Sequence, residues 1–228
     1  MGGASGAEPL IIPEGITVSP TPGGNGVFNV IALTLREGTS GAELYAAVKN
    51  EGDEKGCSPA FSVEIFDKAD QTLAVGVSGL LVQSFFRLTD GSSTIAACVA
   101  PGEVSMVAIK GLPADLSLQD VGRIDYRLNY WNLDAVPIAG VSIHDVQPVM
   151  RGAGVAYTGT FVNGFDVSMD SPSVNVFPIN RVGRPLGVAV ARRSAELAPG
   201  DSWEFDTDSV TETGVDQVAF AATGPKAQ

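Results

Sequence analysis

The chain has 228 residues, of which 44% are hydrophobic and 18% are charged, and its formal net charge at pH 7 is −12. This length is sufficient for two domains of about 100 residues, each with its own hydrophobic core. The negative charge disfavours nucleic acid, whose phosphates require a basic surface, and anionic membranes. We therefore expect neither as a partner.

Residues 1–26 are rich in glycine, serine and proline, and we interpret them as a flexible tether. Such a composition buries too little apolar surface to order itself. The first residues lack the basic region and apolar core of a secretory signal. A tether of small residues is similar to the segment after the lipidated cysteine of bacterial lipoproteins, so an N-terminal lipid anchor stays open. The sequence contains no apolar run of about 18 residues, so we expect no membrane-spanning segment.

The sequence between residues 30 and 63 repeats itself 113 residues later. The pair Pro101-Gly102 recurs as Pro199-Gly200 at the shorter offset of 98, so the first copy contains an insertion. Such a repeat predicts two copies of one module, which we place at residues 27–139 and 140–224, with a short tail at 225–228. The correspondence is visible in the pairs Val30 and Ile143, Asn50 and Asn163, and Val63 and Val176.

The first module is predicted to consist of short β-strands. Val, Gly, Thr and Pro favour strands and turns, and no segment of helix length has apolar residues at helical spacing. Phe61, Val63 and Ile65 alternate with polar residues, which is typical of a strand with one buried face. Turn signals recur at the spacing of about 8–12 residues that characterises β-sandwiches. Each module is therefore predicted to be a β-sandwich.

Residues 80–98 have no counterpart in the second module. Two apolar runs flank Asp90-Gly91, which predicts an inserted hairpin. Its apolar side chains, among them Phe85 and Phe86, fall on both faces. We expect one face to cover the second module, and the alternative is a partner-binding edge.

Both cysteines, Cys57 and Cys98, lie in the first module. A metal site would need more ligands nearby, and a catalytic thiol would need a base, whereas the sole histidine, His144, lies in the other module. We predict a disulfide, which would contribute roughly 4 kcal/mol and would indicate an oxidising compartment. Two free buried cysteines are the alternative.

The second module repeats the strand pattern in shorter form after the connector 134–140, which contains Pro137. So short a connector predicts that the two modules pack side by side with limited freedom.

The stretch Val63-Glu64-Ile65-Phe66-Asp67 resembles the F-x-L-Y-D signature of the bacterial FxLYD domains. Val48-Lys49-Asn50 before it and Pro101-Gly102 after it also match that family. The second module is similar at Val174-Asn175-Val176-Phe177 but has Pro178 at the aspartate position. The resemblance implies an all-β protein of two tandem immunoglobulin-like β-sandwiches, in an exported or surface context. It implies no activity.

Charged and aromatic residues supply the candidate sites. Asp206 and Asp208 are candidates for calcium, which takes oxygen ligands from loop aspartates, although solvated strand ends are the alternative. Trp131 is a candidate sugar-stacking platform, with a core position as the alternative. Four arginines bracket one predicted hairpin and would bind an anionic partner if they converged. They are Arg181, Arg184, Arg192 and Arg193.

No catalytic motif is present in the sequence, because His144 has no neighbouring nucleophile and no phosphate-binding loop occurs. We therefore predict a non-catalytic, exported cell-envelope protein, without a cofactor, that acts in adhesion, scaffolding or binding of another envelope protein. It would lie in the periplasm, on the outer membrane or at the cell surface. The first alternative is a carbohydrate-binding module with glycan bound near Trp131, and the second is a hydrolytic enzyme.

Overall fold

The computed structural model describes residues 12–21, 27–38, 40–79, 83–86, 92–95, 98–131, 141–211 and 214–222. These residues form an all-β structure without a helix, so the predicted all-β class is confirmed. None of the described residues therefore belongs to a helix long and apolar enough to cross a membrane. The strands are β1 (Thr17–Pro20), β2 (Phe28–Gly38), β3 (Gly41–Asn50), β4 (Gly56–Asp67), β5 (Thr72–Gly79), β6 (Gln83–Phe86), β7 (Ser92–Ile95), β8 (Cys98–Val99), β9 (Val104–Ile109), β10 (Val121–Trp131), β11 (Val141–Arg151), β12 (Gly154–Asn163), β13 (Ser173–Asn180), β14 (Ala189–Arg192), β15 (Ser202–Asp206) and β16 (Val215–Ala222).

Two sheets enclose a first hydrophobic core, and we call them the first unit. One sheet has the order β2-β3-β9, and the other has the order β1-β10-β4-β5, with β8 also paired to β4. The pairing is antiparallel except between β1 and β10. The prediction of a flexible tether over residues 1–26 is therefore wrong for β1, because Ile16 and Val18 pack against the first core and Thr17–Pro20 pair with β10. Alternate residues of each strand point into the core, including Leu33, Leu44, Phe61, Ile65 and Ile124. The alternation that the sequence shows in β4 reflects this one buried face.

Two further sheets enclose a second core, and we call them the second unit. Their orders are β15-β12-β11-β7 and β14-β13-β16-β6. The core between them contains Ile143, Tyr157, Phe161, Phe205 and Phe220.

The sequence repeat has a structural counterpart. Strands β2 and β11, and likewise β3 and β12, begin and end 113 residues apart, while β9 and β15 begin 98 residues apart. The order β2-β3-β9 of the first unit matches β11-β12-β15 of the second, and β10-β4-β5 matches β16-β13-β14. Each copy therefore contributes six strands with the same connectivity.

Both copies also contain the same buried asparagine. The Asn50 side chain donates to the carbonyls of Glu54 (2.8 Å) and Val99 (3.0 Å) and accepts the Gly52 N–H (3.0 Å). Asn163 repeats the set with the Val167 and Leu197 carbonyls and the Phe165 N–H, each at 3.0 Å. In each copy the backbone carbonyl of the asparagine also accepts a hydrogen bond, at 2.8 Å, from the backbone N–H of the glycine in the Pro-Gly turn. These glycines, Gly102 and Gly200, have φ values of 79° and 77°, which glycine adopts without strain.

Within residues 80–98, the described strands β6 and β7 pair with strands of the second unit and not with each other. Strand β6 pairs with β16 in one sheet of the second unit, and β7 pairs with β11 in the other. The two strands therefore extend two different sheets, whereas a hairpin inserted in the first module was expected. Two four-residue strands paired only with each other would be marginal, and each here covers a sheet edge instead. We call β6 and β7 together the strap.

The two units pack against each other through a third apolar cluster. It lies between the outer faces of the sheets β2-β3-β9 and β14-β13-β16-β6, so the four sheets form successive layers. The central strands β3 and β13 of these sheets are consequently buried on both faces over most of their length. The cluster consists of Ala32, Tyr45, Ala47 and Met106 from the first unit, and Phe177, Ile179, Val188 and Ala219 from the second.

Candidate functional site

Acid–base and metal-binding side chains are dispersed over the described residues. No group of three or more His, Cys, Asp or Glu residues lies close enough together there to hold a metal ion. Asp206, a calcium candidate, forms an ion pair with Arg151, and the second candidate, Asp208, accepts the Val190 N–H at 2.5 Å. Both carboxylates thus have partners within the protein. His144 is half-buried on β11.

Three buried tyrosines have pKa values above the ordinary value. Burial raises the pKa of Tyr157 to about 12, and it also raises the pKa of Tyr126. The pKa of Tyr45 is raised further, first by burial and then by its hydrogen bond to the Glu43 carboxylate. These hydroxyls therefore stay protonated at neutral pH, and none of them is suited to act as a general base there.

The four candidate arginines separate into two pairs at opposite ends of β13. Arg181 and Arg184 follow the end of this strand, whereas Arg192 pairs with Ser173 at its beginning, and Arg193 comes next. The structure therefore does not bring the four together. The Arg184 Nε donates to the Thr34 hydroxyl (2.9 Å) and so joins the two units.

A second arginine extends this polar contact between the units. Arg36 donates to the Leu186 carbonyl of the second unit (3.1 Å) and forms an ion pair with Glu43 (3.0 Å). Its guanidinium also lies over the Tyr45 ring, 5.0 Å from the centroid. The Thr34 hydroxyl donates to the Pro185 carbonyl (2.5 Å). These bonds orient the second unit on β2 and β3.

Several other candidates fall outside what the structure describes. The side chains of Phe85, Phe86 and Trp131, and those of Cys57 and Cys98, lie outside the described residues. Backbone pairing is described for the two cysteines, which face each other directly between β4 and β8. The disulfide itself stays a prediction.

The free edge of β5 is the first candidate binding surface. Among the described strands, β5 pairs only with β4, so its other side is a sheet edge. Its sequence, Thr72–Gly79, contains no charge and no proline. Val75 and Val77 are 60% and 71% exposed on this strand. Exposed sheet edges are usually protected by charge, proline or a covering segment, so such an edge favours strand addition by a partner.

A cleft between the two units is the second candidate. Its volume is about 530 Å³, and it opens beside β9 of the first unit and β14 of the second. Three of the buried residues that join the units form part of its lining, namely Met106, Phe177 and Val188. Lys110 and Arg192 are cations at this cleft. The remaining lining residues are Val107, Ala108, Asn175, Val190 and Asp208.

Sequence reasoning had identified only part of these surfaces. Arg192 and Asp208 were singled out, but the cleft that joins them to Lys110 was not, because it depends on how the units pack. Val75 and Val77 were not singled out. Their signal is that both present apolar side chains on the face where their β4 partners are Glu64 and Ser62.

No model of a known protein family matches the chain, and a search of curated proteins also found no match. The similarity to FxLYD domains therefore stays a prediction.

Proposed function

We propose that this chain is a non-catalytic binding protein of the bacterial cell envelope that holds a protein partner at the β5 edge. The observation that carries the proposal is an uncharged edge strand with two exposed valines. An extended segment of the partner adds to β5 through backbone hydrogen bonds. Val75 and Val77 then contact alternate side chains of that segment.

The architecture suits a scaffold of this kind. Gly76 packs so closely on the first core that an added Cβ would lie 2.8 Å from a methyl carbon of Ile109. The edge strand is thus held in place by the core beneath it. A preformed strand loses little conformational freedom on binding, which favours affinity. We propose that the units are tandem immunoglobulin-like β-sandwiches of the FxLYD type.

The export and disulfide parts of the proposal rest on the cysteines. Residues directly opposite each other in antiparallel strands have Cα atoms about 4.5–5.5 Å apart. A disulfide accommodates Cα separations of about 4.4–6.8 Å. The facing positions of Cys57 and Cys98 therefore favour a bridge, and a bridge favours an extracytoplasmic location. A lipid anchor on the residues before β1 is compatible with this location.

Retention on cell-envelope material tests the proposal. The purified protein is applied to envelope that is untreated, digested with protease or oxidised with periodate. We expect retention on untreated and periodate-treated envelope and its loss after protease. Loss after periodate alone would support the glycan alternative at Trp131 instead, and failure of untreated envelope to retain the protein would contradict the proposal.

Lysine substitutions locate the contact. Val75→Lys together with Val77→Lys introduces charge on the β5 edge, which opposes strand addition. We expect retention to fall at least about tenfold. Met150→Lys together with Val182→Lys is the matched control, because these residues are 72% and 61% exposed in the second unit. Equal retention of both variants would show that β5 is not the binding edge.

A further inference from the structure

We infer that the cleft between the two units binds a small amphipathic organic anion, an apolar body that carries one carboxylate. This site is separate from the β5 edge, and neither proposal depends on the other. Its apolar lining, its two cations and its position across both units support the inference.

The lining fits an apolar body of limited size. Met106, Phe177 and Val188 are at most 4% exposed and belong to the cluster that joins the units, so this part of the lining is continuous with a packed core. Ala108 and Val190 are half-buried and add accessible apolar surface. A volume of about 530 Å³ lies within the range of about 300–1,000 Å³ that small-molecule sites occupy. An acyl or aryl body of about ten to twenty carbons is of suitable size.

The charges of the cleft favour an anion. Lys110 follows β9 in the first unit, and Arg192 ends β14 in the second. Both are exposed, and neither forms an ion pair with a described carboxylate. Asp208 is the one acidic lining residue, and its carboxylate accepts the Val190 N–H at 2.5 Å. The lining therefore carries two cations and one hydrogen-bonded acid in a protein whose net charge is −12.

The cations also define how the ligand would lie. Because Lys110 and Arg192 line the cleft from different units, a carboxylate bound by either cation would lie where the units meet, with the apolar body on Phe177 and Val188. Arg192 can hold a carboxylate through two parallel N–H donors, whereas Lys110 acts as a point charge. The half-buried Asn175 amide adds a polar group to the lining. Neutral analogues of the same shape should lack most of this affinity.

Fluorescence titration with 1-pyrenebutyrate tests the inference on the full chain. We expect saturable binding of one probe per chain, displaced by decanoate. Decanol and decyltrimethylammonium should displace the probe at least about tenfold more weakly. Absence of saturable binding, or equal displacement by decanol and decanoate, would overturn the inference.

Two variants test separately how the charge and the shape of the cleft contribute to probe binding. Lys110→Glu with Arg192→Glu should weaken probe binding at least about tenfold. The control, Arg127→Glu with Arg181→Glu, changes the net charge equally at exposed positions away from the cleft, and it should retain the wild-type affinity. An equal loss in the control would show that only overall charge matters.

The second variant is Val190→Trp, which fills the cleft without changing any charge. We expect it to abolish probe binding while the melting temperature stays close to the wild-type value. Unchanged affinity in this variant would place the probe elsewhere. Envelope retention, measured in parallel, should be unaffected by these cleft variants, so failure of either proposal can be told from failure of the other.

Discussion

The buried side chains of Asn50 and Asn163 each satisfy two backbone carbonyls and one backbone N–H. Both side chains are 0% exposed, so no solvent can replace these bonds if the amide is removed. Each asparagine ties the end of one strand to a loop and to a residue just before the Pro-Gly turn. The repetition of this arrangement in both copies shows that it belongs to the fold of the module.

Replacing Asn163 by alanine should lower the free energy of unfolding by about 3 kcal/mol. The reason is that a buried backbone group left without a partner costs about 1–3 kcal/mol, and three groups lose their partner here. Urea denaturation monitored by tryptophan fluorescence measures the change. Asn129→Ala is the control, since Asn129 is exposed, and it should change the free energy by less than about 0.5 kcal/mol. A similarly small effect of Asn163→Ala would refute this role for the side chain.

At this scale the sequence predicts positions better than roles. The repeat aligns Asn50 with Asn163 and the two Pro-Gly turns with each other, so the sequence indicates that these positions correspond in the two copies. Their bonding was not, because Asn50 reaches the carbonyl of Val99, 49 positions away. Likewise, the sequence indicates that Asp206 and Asp208 are exposed acids. It does not reveal their partners, Arg151 and Val190, because these residues belong to other strands.

The strap is the element that the sequence predicts least well. Strands β10 and β16 occupy the same position in the two copies, and an additional strand covers each of them. In the first unit that strand is β1, which runs parallel to β10, whereas in the second unit it is β6, which runs antiparallel to β16. The copies thus share six strands but cover the same edge with different parts of the chain.

This difference explains which parts of the topology could be predicted. Alternation in β4 and turn signals are local, and they predict the strands of each module. The partner of β6 is about 135 residues away along the chain, since Ser84 pairs with Phe220, and no local pattern specifies it. The sequence does contain a local indication that the units pack against each other. Strands β3 and β13 are nearly continuous apolar runs, which indicates burial on both faces.

Introducing proline at Ser84 and Phe85 should locally open the sheet edge at which β6 pairs with β16. Because alternate residues of a strand donate to one neighbour, at least one of these N–H groups pairs with β16, and proline removes it. We expect amide exchange at Val218–Ala221 to accelerate at least about tenfold. Amides of β3 and β9 in the first unit are the internal control and should change less. Unchanged exchange in β16 would show that the strap does not stabilise this sheet.

At the scale of the whole molecule, the cluster between the units decides whether they fold together. Tyr45 and Met106 of the first unit pack with Phe177 and Ile179 of the second, and all four are at most 2% exposed. The strap also connects the units, because β6 and β7 follow β5 of the first unit along the chain but pair with β16 and β11 of the second. Separation of the units would expose this cluster and also open the cleft that it partly lines.

We therefore expect a single calorimetric unfolding transition for the wild-type chain. Ala47→Glu in the first unit, or Ala219→Glu in the second, places a carboxylate in the cluster, where an unpaired charge is strongly unfavourable. Each variant should lower the stability of both units, so that amide exchange accelerates in β3 and in β13 whichever unit carries the substitution. Val77→Glu adds the same charge at a 71% exposed position and should leave exchange unchanged. If Ala219→Glu accelerates exchange in β13 alone, the units are thermodynamically independent. Probe binding at the cleft should then weaken as well, because the cleft is lined by both units and Ala219→Glu disrupts the contact between them.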